Sequence, residues 1–285
     1  MRLGTSADYL SVYGLREGAR IMKEQGYDCV DYRGFVSPKG ELFSLSPEER
    51  ARRLKETKEL LEESGLSVFQ SHAPFSFPTK DVTESGREES FAENLITLEG
   101  SRLLGAKCVA IHPVMPFGPG SAEEPERVWE INADYMGRLC NAAREYELTV
   151  CLENMPFRDF PLNTLDRVVD FVKAADFDNL KICFDTGHHL VRGGSLADGV
   201  RMIGGGLLAC VHVHDNDRTR DAHDVPGTGV GDFTAFTDAL REIGFAGVLS
   251  LEVNTFRERE AWEQRVFEEK LARIGLCLAG KQKCL

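Results

Sequence analysis

At 285 residues with 42% hydrophobic residues, the chain is long enough for one large core, and a formal charge of −12 argues against nucleic acid as a partner, since phosphate contacts need clustered Lys and Arg. No apolar run approaches the roughly 20 residues of a bilayer span and MRLGTSADYL lacks a signal-peptide core, so a soluble, cytoplasmic protein is expected, with no membrane partner. Eight cysteines form no CxxC pair, and five of them (Cys29, Cys108, Cys151, Cys183, Cys210) lie in apolar, strand-like stretches, which argues against a disulfide framework or a structural zinc site.

Short β-like runs alternate with amphipathic helical stretches from one end to the other. Strand one is expected at Leu3 to Ser6, then a helix with Val12, Leu15, Ala19 and Met22 on one face. Strand two runs from Cys29 to Tyr32. Ser46-Pro47-Glu48-Glu49 then supplies a cap serine, a proline at the first helical position and a glutamate at the third, so a helix opens there with reciprocal capping. Strand three, Leu66 to His72, precedes a helix lined by Phe91, Leu95 and Leu98. Strand four, Cys108 to His112, precedes a long helix with Val128, Ile131, Tyr135, Leu139 and Ala142 at helical spacing. Strand five is Thr149 to Glu153, followed by a helix carrying Leu165, Val168, Val169 and Val172. Strand six, Leu180 to Asp185, leads through a loop to a short helix around Leu196, Val200 and Ile203. Strand seven is Ala209 to His214, with Phe233, Phe236, Leu240 and Ile243 on the next helix. Strand eight, Gly247 to Glu252, precedes a final helix with Trp262, Val266 and Ile274.

A parallel strand needs a helical crossover to return, so eight strand and helix pairs without a linker predict one (β/α)8 barrel over residues 1–285. A doubly wound open sheet is the competing arrangement. It fits less well, because no G-x-G-x-x-G follows strand one and polar chemistry falls at many strand ends rather than at one switch point.

In a barrel the active site forms at the C-terminal strand ends, which here carry His72, His112, Glu153, Asp185, His212 and Glu252. Two residues upstream, on the same strand faces, stand Gln70, Ala110, Cys151, Cys183, Cys210 and Ser250, mostly small enough for a crowded interior. Glu153, Asp185, His212 and Glu252 come from four consecutive strands, so they can surround one divalent cation, and manganese, zinc, cobalt and magnesium all suit such donors. Both glutamates end apolar runs, where an idle carboxylate would be costly. Taken singly, His72 and His112 read as hydrogen-bonded structural residues. His189 should point away, and His214 should face the site from further out. Arg218 and Arg220 are placed either to hold substrate oxygens or to lie as solvated loop charges. Gly227-Thr228-Gly229 reads as a turn rather than a phosphate cradle.

The motifs taken together resemble the xylose isomerase-like TIM barrel superfamily. They are His-Ala-Pro (72–74), His-Pro (112–113), Leu-Glu-Asn (152–154), Phe-Asp-Thr-Gly-His (184–188), His-Val-His-Asp (212–215), Asp-Ala-His (221–223), Pro-Gly-Thr-Gly (226–229) and Ser-Leu-Glu (250–252). Resemblance to its sugar isomerase and epimerase branch implies a metal held by Glu153, Asp185, His212 and Glu252. It also implies proton transfer by Glu153 and Glu252, and substrate contacts from His188 and Arg218, with His72 and His112 as further substrate-facing groups. Resemblance to its apurinic endonuclease branch implies up to three zinc ions, with His72, His112, His188, Asp221 and His223 as additional ligands. Asn-Met-Pro-Phe (154–157) and His-Asp-Asn-Asp (214–217) depart from the endonuclease pattern.

The expected function is a divalent-metal-dependent sugar or sugar-phosphate isomerase or epimerase working through a metal-stabilised enediolate. Its partner would be a small sugar or sugar phosphate, with a homo-oligomer admitted. The alternatives are a trinuclear-zinc phosphodiesterase on damaged DNA and a lyase or dehydratase on the same metal site.

Overall fold

A computed structural model describes residues 1–6, 9–119, 124–254 and 260–283. Eight parallel strands close into a barrel in sequence order, with β8 returning to pair with β1. They are β1 (Arg2–Thr5), β2 (Cys29–Tyr32), β3 (Ser67–His72), β4 (Cys108–Ile111), β5 (Thr149–Glu153), β6 (Leu180–Asp185), β7 (Leu208–Val213) and β8 (Val248–Leu251). Every strand lies within one residue of its expected position, and the open doubly wound sheet is excluded by the closure.

The helices are α1 (Tyr9–Val12), α2 (Leu15–Glu24), α3 (Glu41–Ser44), α4 (Pro47–Glu63), α5 (Glu84–Leu104), α6 (Pro125–Glu145), α7 (Leu165–Ala175), α8 (Thr186–Val191), α9 (Leu196–Ile203), α10 (Phe233–Glu242) and α11 (Ala261–Leu278). None among the described residues is long and apolar enough to cross a membrane. The capping box that opens α4 is present: Glu49 N donates to Ser46 Oγ at 3.3 Å, and Ser46 N donates to Glu49 Oε2 at 3.2 Å.

The first helical stretch departs from expectation. Gly14 at φ 78° breaks it into α1 and α2, and Val12 is left exposed. On α11, Trp262 and Val266 are also exposed, and Leu271, Ala272 and Leu278 make the buried contact instead. The stretch after Asp185 is a helix rather than a loop, because the Asp185 carboxylate accepts the His188 N–H at 2.6 Å and caps α8.

Two apolar regions hold the barrel. Leu, Val, Ile and Phe side chains fill the layer between strands and helices, with Phe184, Phe236, Leu54 and Leu61 fully buried. Inside the barrel, Cys108, Ala110, Cys151, Cys183 and Cys210 form a separate buried cluster of small side chains. This matches the interior that strand parity predicts, with the thiols acting as small hydrophobes.

Candidate metal centre

The strand register brings the four predicted ligands together. Glu153 lies level with Cys183, and Asp185 lies level with His212, which in turn lies level with Ser250. One ligand atom from each of Glu153, Asp185, His212 and Glu252 falls within 4.8 Å of the others, and all four residues are buried. His212 Nδ1 is 3.0 Å from Glu153 Oε1 and 3.0 Å from Glu252 Oε2.

Three buried carboxylates and one imidazole nitrogen are the donor set of a hard or borderline divalent cation. Glu153 Oε2 supplies the fit test. It is buried, lies 3.3 Å from His72 Nε2 and 3.2 Å from His112 Nε2, and is aligned for a hydrogen bond with neither. An orphaned carboxylate oxygen on a member of such a group is what a cation would satisfy, so the residues fit one.

Without an ion, His212 carries balancing charge, whereas burial outweighs Glu153 at His112 and pushes that imidazole below its ordinary range. Burial disfavours charge on Glu153, and the His212 and His112 imidazoles outweigh it, holding that carboxyl well below the usual range. Glu252 follows the same pattern, its burial outweighed by His212, His223 and Arg33. His212 is correspondingly pushed well above an ordinary imidazole: burial opposes its charge, but Glu252, Glu153 and Asp31 surround it.

Behind this group stands a layer that orients it. His212 Nε2 lies 3.3 Å from Asp31 Oδ2, and the same oxygen accepts from Gln70 Nε2 at 2.8 Å and Ser250 Oγ at 2.9 Å. Asn154 Nδ2 donates to the Asp185 carbonyl, and Asn154 Oδ1 accepts the Asp185 N–H at 2.9 Å, locking β5 to β6 beside the ligands. Arg33 Nη1 sits 3.2 Å from Glu252 Oε1. No sequence pattern singles out Arg33, the one signal for Asp31 is a carboxylate inside the apolar run CVDY, and Asn154 stands in the sequence only as part of the Leu-Glu-Asn and Asn-Met-Pro-Phe motifs, with no role attached.

A second group adjoins the first. Asp221 Oδ2 lies 3.2 Å from His188 Nε2 and 3.1 Å from His223 Nε2, and these three residues also converge as metal ligands could. The opposite ring nitrogens donate to the Asn154 carbonyl at 2.7 Å and the Glu252 carbonyl at 2.9 Å. Each Nε2 facing Asp221 is therefore either protonated or bare. Burial opposes charge on both rings, yet neighbouring carboxylates (Asp185 first for His188, Asp221 first for His223) raise His188 to about 10 and His223 to about 9. His214 stands behind, with Nε2 at 2.9 Å from Asp185 Oδ2 and its ring stacked on His223 at 3.9 Å.

The loop after β7 is pinned from within. Gly227, Gly229 and Gly231 donate their N–H groups to the buried Asp215 carboxylate at 2.9, 2.8 and 3.0 Å. Those donors are thereby committed to a carboxylate of the chain itself, in keeping with a turn rather than a phosphate cradle. A Cβ on Gly229 would sit 2.2 Å from the Asn216 carbonyl oxygen, so only glycine fits there. The pinning holds Arg218 at φ 70° and His223 at φ 49°, a left-handed backbone that non-glycine residues rarely adopt. Arg218 is exposed at the rim, outside both clusters, and Arg220 is exposed beside it. His189 turns away, its Nε2 at 3.1 Å from the Ser195 carbonyl.

Residues 19–272 match the family model described as xylose isomerase-like TIM barrel. The chain is 24% identical over 245 residues to an inosose isomerase of Bacillus velezensis, covering 84% of this chain and 83% of that protein. Among solved structures it resembles a D-tagatose 3-epimerase-like protein, with a TM-score of 0.77, 26% identity and 99% of each chain covered. The IOLI protein, solved with a bound zinc atom, shares the fold with a TM-score of 0.73 and 19% identity, over 100% of both chains.

Proposed function

The chain belongs to the xylose isomerase-like TIM barrel family, and on that premise we propose a single-domain, divalent-metal-dependent isomerase or epimerase of small sugars. The observation that carries the reading is the facing pair of buried glutamates, Glu153 and Glu252, each 3.0 Å from the same His212 nitrogen. Names borne by its relatives, an inosose isomerase and a D-tagatose 3-epimerase-like protein, support the reaction class.

Glu153, Asp185, His212 and Glu252 would hold the ion, which when bound supplies Lewis-acid polarisation of a substrate carbonyl. The side chains do the rest. One glutamate removes the proton from the carbon beside the carbonyl, and the other returns one, to the opposite face in epimerisation or to the adjacent carbon in isomerisation. Both carboxyls are held ionised, the form in which the base must begin, so the glutamate that returns a proton must first take one up from solvent, and the base gives its own up to solvent to close the cycle. His188 gives its Nδ1–H to the Asn154 carbonyl and faces Asp221 with Nε2, so it would reach a substrate hydroxyl only by exchanging Asp221 for it, and His72 and His112 border the second oxygen of Glu153, Oε2. Arg218, exposed at the rim, can reach substrate only from the loop side.

Deuterium uptake from heavy water tests the reading. Protein stripped with chelator and reloaded with manganese, zinc, cobalt or magnesium is incubated with a panel of ketoses and ketose phosphates. Exchange beside the carbonyl that appears only with metal supports it. No exchange with any member of the panel overturns it.

A second reading, a multinuclear zinc phosphodiesterase, draws on the His188, Asp221 and His223 group, which offers a second set of ligands. Metal counting separates the two: one tightly held ion per chain favours the first, three zinc ions the second.

A further inference from the structure

Beside the proposed metal centre, an open cleft of about 420 Å³ lies between the ends of β1 and β2 and the helices α1, α3 and α4. That size is within the range of small-molecule sites, roughly 300–1,000 Å³. Two residues join it to the centre. Asp31 lines the cleft while its Oδ2 faces His212, and Arg33 lines the cleft while pairing with Glu252.

Two residues of the cleft wall carry unmet polar demand just beneath its surface. Ser6 Oγ and Asp31 Oδ1 both belong to lining residues, in side chains 6% and 3% exposed, and neither atom has a hydrogen-bond partner. A buried carboxylate oxygen and a buried hydroxyl without partners cost free energy that a ligand hydroxyl recovers once either side chain turns toward the cleft. The cations nearby are committed: Arg33 to Glu252 at 3.2 Å, and Arg53 to Glu41 at 3.1 Å. An anionic tail such as a phosphate would have to break those pairs and face Asp31. A neutral polyol donates to Asp31 instead. Leu10 and Leu42 in the same wall suit the C–H face of a sugar ring.

We propose that this cleft is a subsite for a second, uncharged sugar ring, so that the substrate is a keto sugar carrying a glycosyl group rather than a free sugar phosphate. The inference rests on the isomerase or epimerase reading and narrows its substrate class.

Two measurements test it. The first compares heavy-water exchange by the metal-loaded enzyme on D-fructose and on glucosyl-fructoses whose fructose carbonyl is free. The second is calorimetric binding of the same sugars. Wild-type protein should show kcat/KM at least 10-fold higher for a glucosyl-fructose, and tighter binding of it. Leu10→Trp, which fills the cleft, should remove both preferences while leaving exchange on fructose within twofold. Ser6→Ala should reduce the preference without reshaping the cleft. Equal or better use of fructose, or a preference that survives Leu10→Trp, overturns the subsite and leaves the reaction class standing. Exchange on neither sugar removes the reaction class for ketohexoses, and absence of preferential binding in calorimetry then overturns the subsite by itself.

Discussion

Asp31 is not itself a proposed ligand, yet its Oδ2 lies 3.3 Å from His212 Nε2 and is fixed from two other strands by Gln70 and Ser250. A carboxylate behind a ligating histidine keeps the proton on the far nitrogen and leaves the near one free to bind. Asp31→Asn should therefore weaken manganese or zinc binding by roughly 10–100-fold while the far-ultraviolet circular dichroism is unchanged. Equal affinity in the two proteins, read by calorimetry on chelator-stripped samples, would remove Asp31 from this role. Glu153→Gln and Glu252→Gln make a different prediction. Both should abolish exchange with the fold intact, since each removes a charge that His212 faces at 3.0 Å. Substantial turnover in either variant would discard that residue as a proton carrier. The six strand-end residues were legible in the sequence because alternation along a strand fixes which side chains face inward. Asp31 and Arg33 were not, because one lies inside its strand and the other just beyond it, and only the packing of β2 against β3 and β8 across the barrel shows what they touch.

Helix α8 is the element that ties the two clusters together. Its cap, Asp185, is also a proposed ligand, and its third residue, His188, faces Asp221. Gly187 between them has no space for a side chain: a Cβ there would stand 1.9 Å from His214 Cε1 and 2.2 Å from Nδ1. His214 is fully buried and held by Asp185, so it has no easy retreat. Gly187→Ala should lower stability by about 1–3 kcal/mol and loosen metal binding as Asp185 shifts. A variant with wild-type melting temperature and metal affinity would show that His214 is free to move. The turn from strand to helix was not legible because an aspartate ending an apolar run reads equally as a strand terminus and a helix cap. Helix α4 was legible to the residue, since Ser46, Pro47 and Glu49 give a start signal independent of tertiary contacts. Gly14 misled for the opposite reason: the apolar spacing continues across it, and only its positive φ reveals the break.

Across the whole barrel, the mouth gathers carboxylates and imidazoles whose charges balance only in pairs, and this makes stability depend on pH in a direction that can be worked out. His188 and His223 titrate in the folded protein near about 10 and about 9, and His212 is also raised, whereas an unfolded imidazole titrates near about 6.5. Raised values mean stabilisation that is complete below about pH 6.5 and is lost as pH climbs through the folded values. Glu153 and Glu252 are depressed, so their contribution is present above about pH 4.5 and is lost as acid protonates them. Chelator-treated protein should therefore be most stable between about pH 4.5 and 6.5, with a melting temperature that falls steadily toward pH 10. Metal binding runs the other way, since the ligating nitrogen of His212 must shed its proton to accept an ion, so affinity rises with pH. The increment in melting temperature on adding manganese should thus grow from pH 6 to pH 9, as linkage to the folded state requires. Scanning calorimetry with and without the ion reads both trends together. A flat curve for the stripped protein over pH 6.5–10, or an increment that shrinks as pH rises, would mean that the imidazoles at the barrel mouth do not carry the charge that offsets its buried carboxylates.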